Sequence, residues 1–254
     1  MTARTTTQDL GRHVYGLGIM ALALVMLAWG SFNSGEPVPK WLPFYYPVMA
    51  AAAVFEFAAG ASVQWRRFAA WGAAALAIYY ALVVAVVMDG RIVFLHYDNY
   101  GAYTGIAEPV ALAAAALIVY AMNADIDDAR AARLMRIGQI VFGICAVFFG
   151  IAHFVYMNMT APLIPKFLPP SQEFWGYATG VFHIAGGLAL IANIWARLAA
   201  ILLTVMYASF TFLVHLPMVI ANHGDHFIWS ENAENIALIG AAWVVADSLA
   251  RKKA

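Results

Sequence analysis

The chain has 254 residues, of which 64% are hydrophobic and 11% charged, and its 14 basic and 14 acidic side chains leave no net formal charge. That composition excludes a soluble globule and gives no electrostatic basis for binding nucleic acid. The single cysteine, Cys145, excludes an intrachain disulfide, a cysteine-only metal site and a Cys-x-x-Cys redox pair.

The apolar residues come in blocks of roughly 16 to 22, each long enough to cross about 30 Å of hydrocarbon as a helix. They predict an all-α, polytopic membrane protein with eight spans. Unbroken apolar runs such as 107–122 and 194–214 do not fit the alternating pattern of a transmembrane barrel.

In chain order, polar residues 1–13 with Arg4 and Arg12 precede span one at 15–32. A loop with Pro37, Pro39 and Pro43 leads to span two at 47–63, and a short turn with Arg66 and Arg67 leads to span three at 69–88. A longer polar loop carrying His96, Asp98 and Asn99 precedes span four at 108–122. The strongly charged linker 123–136 then opens a second half with spans at 137–157, 175–193, 198–220 and 234–249.

The halves repeat one plan. Val38-Pro39-Lys40-Trp41-Leu42-Pro43 matches Ile164-Pro165-Lys166-Phe167-Leu168-Pro169. Val54-Phe55-Glu56-Phe57-Ala58-Ala59-Gly60 matches Val181-Phe182-His183-Ile184-Ala185-Gly186-Gly187, and His96, Asp98 and Glu108 fall on His223, Asp225 and Glu234. The first span therefore has an internal counterpart and is read as a span, not a cleaved leader. The predicted organisation is a first four-helix unit (1–122), a cytoplasmic linker (123–136) and a second four-helix unit (137–254). With four spans each, the units insert in parallel.

Basic residues set the orientation. Placing the amino terminus in the cytoplasm puts Arg4, Arg12, Arg66, Arg67, Arg130, Arg133, Arg136, Arg197, Arg251, Lys252 and Lys253 inside and only Lys40, Arg91 and Lys166 outside. Both termini are then cytoplasmic, and both proline loops face outward.

Several motifs carry a family resemblance: Gly150-Ile151-Ala152-His153-Phe154, the Pro-Lys-Phe-Leu-Pro loop, Thr179-Gly180-x-x-His183-x-x-Gly186-Gly187 and His215-Leu216-Pro217. They resemble the DoxX-like superfamily of small bacterial membrane proteins, over nearly the whole chain and more sharply in its second half. The resemblance implies four-helix units in the bacterial inner membrane and, for some members, association with redox complexes such as a thiosulfate:quinone oxidoreductase subunit. Many members carry a glutamate before Gly-Gly in the second helix. Glu56 keeps that position in the first half, and His183 replaces it in the second.

His153, His183 and His215 fall within roughly 6 to 12 Å of the outer ends of their spans at about 1.5 Å per residue. Gly176, Gly180, His183 and Gly187 recur at helical spacing, as do Thr204, Tyr207, Thr211 and His215, so each span has a small or polar stripe for neighbouring helices. His183 and His215, with Thr179 and Thr211, are the groups expected to hold a cofactor. His153, His183 and His215, with His223, His226 and Glu234 above them, are the candidate metal ligands. Neutral imidazoles with a carboxylate suit copper, zinc or iron, and the alternative ligand is a quinone; haem ranks behind both.

The plainer reading is that each histidine only hydrogen-bonds a neighbouring helix. Glu56, the deepest acid, is either a proton carrier or an interhelical contact. Glu108 and Glu234 open their spans and read as helix caps. Three functions follow: a redox-associated membrane protein working with a periplasmic or membrane redox partner, a small-solute or proton transporter, or a non-catalytic assembly subunit. Whether the chain is an enzyme is left open.

Overall fold

Long apolar blocks separated by polar turns fold back on themselves as antiparallel helices. The computed structural model describes residues 10–250, and the long helices are α1 (Leu10–Trp29), α2 (Tyr45–Ser62), α3 (Arg66–Leu95), α4 (Tyr100–Asn123), α5 (Asp128–Val155), α6 (Gln172–Ala192), α7 (Ala196–Ala221) and α8 (His226–Ala250). No strand occurs among the described residues. Arg4 and the basic tail Arg251, Lys252 and Lys253, which entered the charge count, lie outside them.

Seven of these helices, all but α2, are long and apolar enough to cross a membrane. The 18 residues of α2 include Glu56, Pro47 and two tyrosines among alanines, which lowers its hydropathy although it packs against both α1 and α3. In the first half α1, α2, α3 and α4 pack in sequence, and α5, α6, α7 and α8 do the same in the second. The halves join where α1 meets α8 and α4 meets α5, with α4 against α8 between them. Helices α1, α4 and α8 are the most buried, whereas α6 and α7 expose most of their apolar surface.

Helices meet at two ends. The loop end carries residues 30–44, 96–99, 156–171 and 222–225; the turn end carries the short connections near 63–65, 124–127 and 193–195. At the loop end α4 and α8 begin about two turns before the expected positions. Asn99 Oδ1 accepts from Gly101 N at 2.8 Å and Asp225 Oδ1 accepts from Phe227 N at 2.8 Å, so these short polar side chains supply the caps. Glu108 and Glu234 are therefore not caps but lie in the third turns of their helices, where they face other side chains. The expected charged linker does contain a helix start, since Asp127 caps α5 by accepting from Arg130 N at 2.8 Å.

Two helices carry a stretch wound as π-helix: Tyr79–Asp89 in α3 and Thr211–His215 in α7. Each widens the turn and redirects the side chains around it. In α7 the Asn235 amide of α8 donates to Tyr207 O at 3.0 Å and to Thr211 Oγ1 at 2.7 Å, giving both groups a partner.

The loop after α1 turns at Gly30, whose φ of 62° suits glycine, and re-enters the bundle. Asn33 Nδ2 donates to Leu22 O at 3.1 Å, Ser230 Oγ of α8 donates to Asn33 Oδ1 at 3.0 Å, and Phe32 is buried. Part of this loop thus belongs to the interior.

Candidate functional site

Helices α5 and α6 approach closely because glycines face each other across the contact. A Cβ at Gly143 would stand 2.8 Å from Gly187 O, one at Gly150 would stand 2.7 Å from Gly180 O, and one at Gly180 would stand 2.9 Å from His153 Cβ. This closeness brings the His153 and His183 rings to 5.0 Å between centroids.

The tautomers follow from their partners. His183 Nδ1 lies 2.8 Å from Thr179 O, and His153 Nδ1 lies 3.2 Å from Gly176 O. A carbonyl only accepts, so in each ring Nδ1 carries the proton and Nε2 is left with a lone pair. Thr179 Oγ1 donates to Trp175 O at 2.8 Å and lies 3.0 Å from His153 Nδ1. Tyr207 and Phe210 of α7 close the far side, with ring centroids 5.3 and 6.1 Å from His183. His183 is buried and His153 is partly exposed.

His153 borders a groove of about 1000 Å³ between α6 and α7. Its loop end presents His153, Thr160, Thr179, Trp175, Ser209 and His215, and the rest is lined by aliphatic side chains with Phe182 and Phe210, down to Trp195 near the turn end. Such a cleft, mostly apolar with a few polar groups at one end, matches the chemistry of small-molecule sites.

The other expected site residues separate. His215 borders the groove but makes no ring contact with the histidine pair among the described residues. Thr211 gives its oxygen to Asn235 and is not part of the groove wall. His223 is exposed, and its carbonyl accepts from Trp229 Nε1 at 2.9 Å. His226 packs on Trp29, ring centroids 5.8 Å apart, and Glu234 belongs to a different cluster. The six proposed metal ligands are thus one pair and four separate groups. Among the described residues no set of three or more histidine, cysteine, aspartate or glutamate side chains is placed to hold a metal ion.

A second constellation was only partly visible in the sequence. Glu56 is fully buried in α2, and Tyr80 OH donates to its Oε1 at 2.6 Å. Glu36, buried in the re-entrant loop, receives Tyr79 OH on its Oε1 at 2.6 Å and lies within hydrogen-bonding reach of Glu56. Burial pushes the Glu36 carboxyl up to about 7, against a partly opposing effect of its hydrogen bonds to Tyr79, Glu56 and Asn33.

On α8, Ser34 Oγ donates to Glu231 Oε1 at 2.8 Å, and a Cβ at Gly35 would stand 3.2 Å from Glu234 Oε1. Glu234 and Glu108 of α4 also reach each other. Ser34, Gly35 and Glu36 therefore each meet a different carboxyl of this cluster. Glu36 was missed because a proline-flanked loop reads as surface; the cue was an excess of acids over bases at one end of the chain's helices.

A family model described as a domain of unknown function (DUF8561) matches residues 142–246. That stretch is under half the chain and contains the histidine pair and the groove. No curated protein and no solved structure matches the chain.

Proposed function

We propose that this chain is a redox-associated membrane protein that holds a quinone-class molecule in the groove between α6 and α7 and exchanges electrons through a partner protein. One observation carries the reading: an apolar groove of about 1000 Å³ that ends at His153, Thr179 and His215. An isoprenoid tail matches the aliphatic length, and a ring with oxygen substituents matches the polar end. A metal is the weaker form of the proposal, since the histidines pair and go no further.

A bound quinone would supply two-electron chemistry coupled to proton exchange at its ring oxygens. The chain's own part is positional and acid–base. Gly176 O fixes the His153 tautomer, so Nε2 has a lone pair to accept a hydrogen bond from a hydroxyl on the ring and to take its proton. His183, buried behind it and tied to Thr179 O, orients the pair.

The proposal extends to placement. The chain is read as two fused, parallel four-helix units with eight spans, α2 included, similar to the DoxX-like superfamily and seated in the bacterial inner membrane. Both termini are cytoplasmic and the polar end of the groove opens outward. The repeated motifs and the same packing order in the two halves support this. An assembly subunit would need neither the groove nor its polar end.

Trp175 borders the groove, so titrating a short-chain quinone into the detergent-purified protein tests the reading. The expected result is saturable quenching, reduced in Trp175→Phe, where Trp195 at the far end of the groove remains, and shifted to several-fold higher quinone concentration in His153→Gln. Quenching that rises linearly without saturation, or is the same in His153→Gln, removes the proposal.

A further inference from the structure

Every glutamate in the chain except Glu173 belongs to the buried cluster between the halves, and Asp89 joins it. The groups facing it from each packed element are Tyr15 on α1, Glu36 in the re-entrant loop, Glu56 on α2, Tyr79, Tyr80 and Asp89 on α3, Glu108 on α4, and Glu231 and Glu234 on α8. The largest electrostatic effects on these carboxyls come from one another. The nearby bases serve the rim: Arg91 donates to Pro37 O at 3.5 Å, and Lys40 acts on His226. Adjacent carboxylates in a low-dielectric interior cannot all stay ionised.

Two independent observations identify what fills the deficit. Glu36 and Glu56 each receive a tyrosine hydroxyl on Oε1, yet Oε2 of each is buried without a hydrogen-bond partner. A small cavity bordered by Asn33, Glu36, Glu56, Tyr80 and Glu234 gives the centre of a water molecule about 10 Å³, room for one water.

We propose that this cluster is a proton-binding site that loads and unloads from the loop end, with Glu36–Glu56 and Glu108–Glu234 as two proton-sharing carboxyl pairs bridged by the cavity. Each pair holds a proton between oxygens that would otherwise repel, and the ligand is the hydrogen ion itself. Glu231, half-buried and bonded to the exposed Ser34, links the cluster to the loop surface. On the other side the path ends. Tyr15, Ile19 and Val63 are fully buried, and α1 meets α2 so tightly that a Cβ at Gly16 would stand 2.7 Å from Gly60 O. The site is a closed-ended store and not a channel through the bundle, and it stands independently of the quinone reading.

Infrared spectroscopy of the full chain in lipid nanodiscs tests this, because a protonated carboxyl has a C=O band distinct from that of a carboxylate. The expected result at neutral pH is a protonated-carboxyl band that disappears only on alkalinisation and is insensitive to added sodium or calcium. Glu56→Gln and Glu234→Gln should each remove part of it. Tyr80→Phe should shift the remaining Glu56 component by removing its hydrogen-bond donor. Absence of the band from the wild-type protein at neutral pH overturns the proposal, whether or not the variants fold. Loss of the band on adding sodium or calcium at constant pH overturns it in favour of a metal-cation site.

Discussion

Replacing Gly150 or Gly180 with alanine should push the two histidines apart while leaving both side chains chemically unchanged, because the new Cβ presses on the helix backbone and on a histidine stem. A Cβ at Gly150 would stand 2.7 Å from Gly180 O, whereas ordinary contact begins at 3.4 Å, so α5 and α6 must part by about 0.7 Å. Both obstacles on that side are helix backbone or stems, Gly180 O and His183 Cβ, with only Ile184 Cγ1 free to rotate. Overpacking of this kind costs about 1–3 kcal/mol, while alanine gains roughly 1 kcal/mol over glycine in a helix. Gly105, on α4, separates these contributions because a Cβ there meets nothing within 4 Å. Gly105→Ala should leave thermal stability in detergent unchanged or raised, and Gly150→Ala should lower it while weakening quinone quenching of Trp175. Equal stability and equal quenching in Gly150→Ala and Gly105→Ala would refute the claim that this helix contact sets the histidine pair.

Other substitutions probe the rest of the bundle. Gly35→Ala places a Cβ 3.2 Å from Glu234 Oε1, so it should lower the melting temperature, and Glu234→Ala in the same chain should recover part of the loss. Asn235→Leu removes the donor to Tyr207 O and Thr211 Oγ1; Tyr207 O keeps the Thr211 N–H, so the loss is that of ordinary hydrogen bonds, about 0.5–1.5 kcal/mol each, read as a lower denaturation midpoint. The Glu36 carboxyl is raised from 4.5 to about 7 by burial. Between those values the folded state binds more protons, so stability should fall as pH rises through this window and level off above it. Glu36→Gln should flatten that slope in denaturation curves measured across the window, and an unchanged slope would remove Glu36 as its source.

The helical membrane character was legible in the sequence because apolar blocks of span length have few alternatives. The glycine spacing on α6 was legible too: Gly180 and Gly187 meet Gly150 and Gly143 of α5. His153 and His183 could be matched by depth, but depth along a helix does not fix azimuth. The π-helical turn at Thr211–His215 alters that azimuth locally, which no heptad count anticipates. The helix starts of α4 and α8 were read two turns late because polar, aromatic-rich segments such as Tyr100–Ala107 and His226–Ala233 look like loop until Asn99 and Asp225 are seen capping them. Glu36 was hidden for a related reason. Its burial depends on Tyr79 and on the re-entry of residues 33–36, contacts distant in sequence.

The groove between α6 and α7 is the central element of the proposed function. Ala185 borders it and is exposed, so Ala185→Trp should fill it without disturbing the histidine contacts. The direct measurement is the amount of quinone extracted from purified wild-type protein and from Ala185→Trp. Near-stoichiometric quinone in the wild type and only a trace in the variant is the predicted result. Equal amounts in both, or none in either after expression in a quinone-producing host, would contradict it.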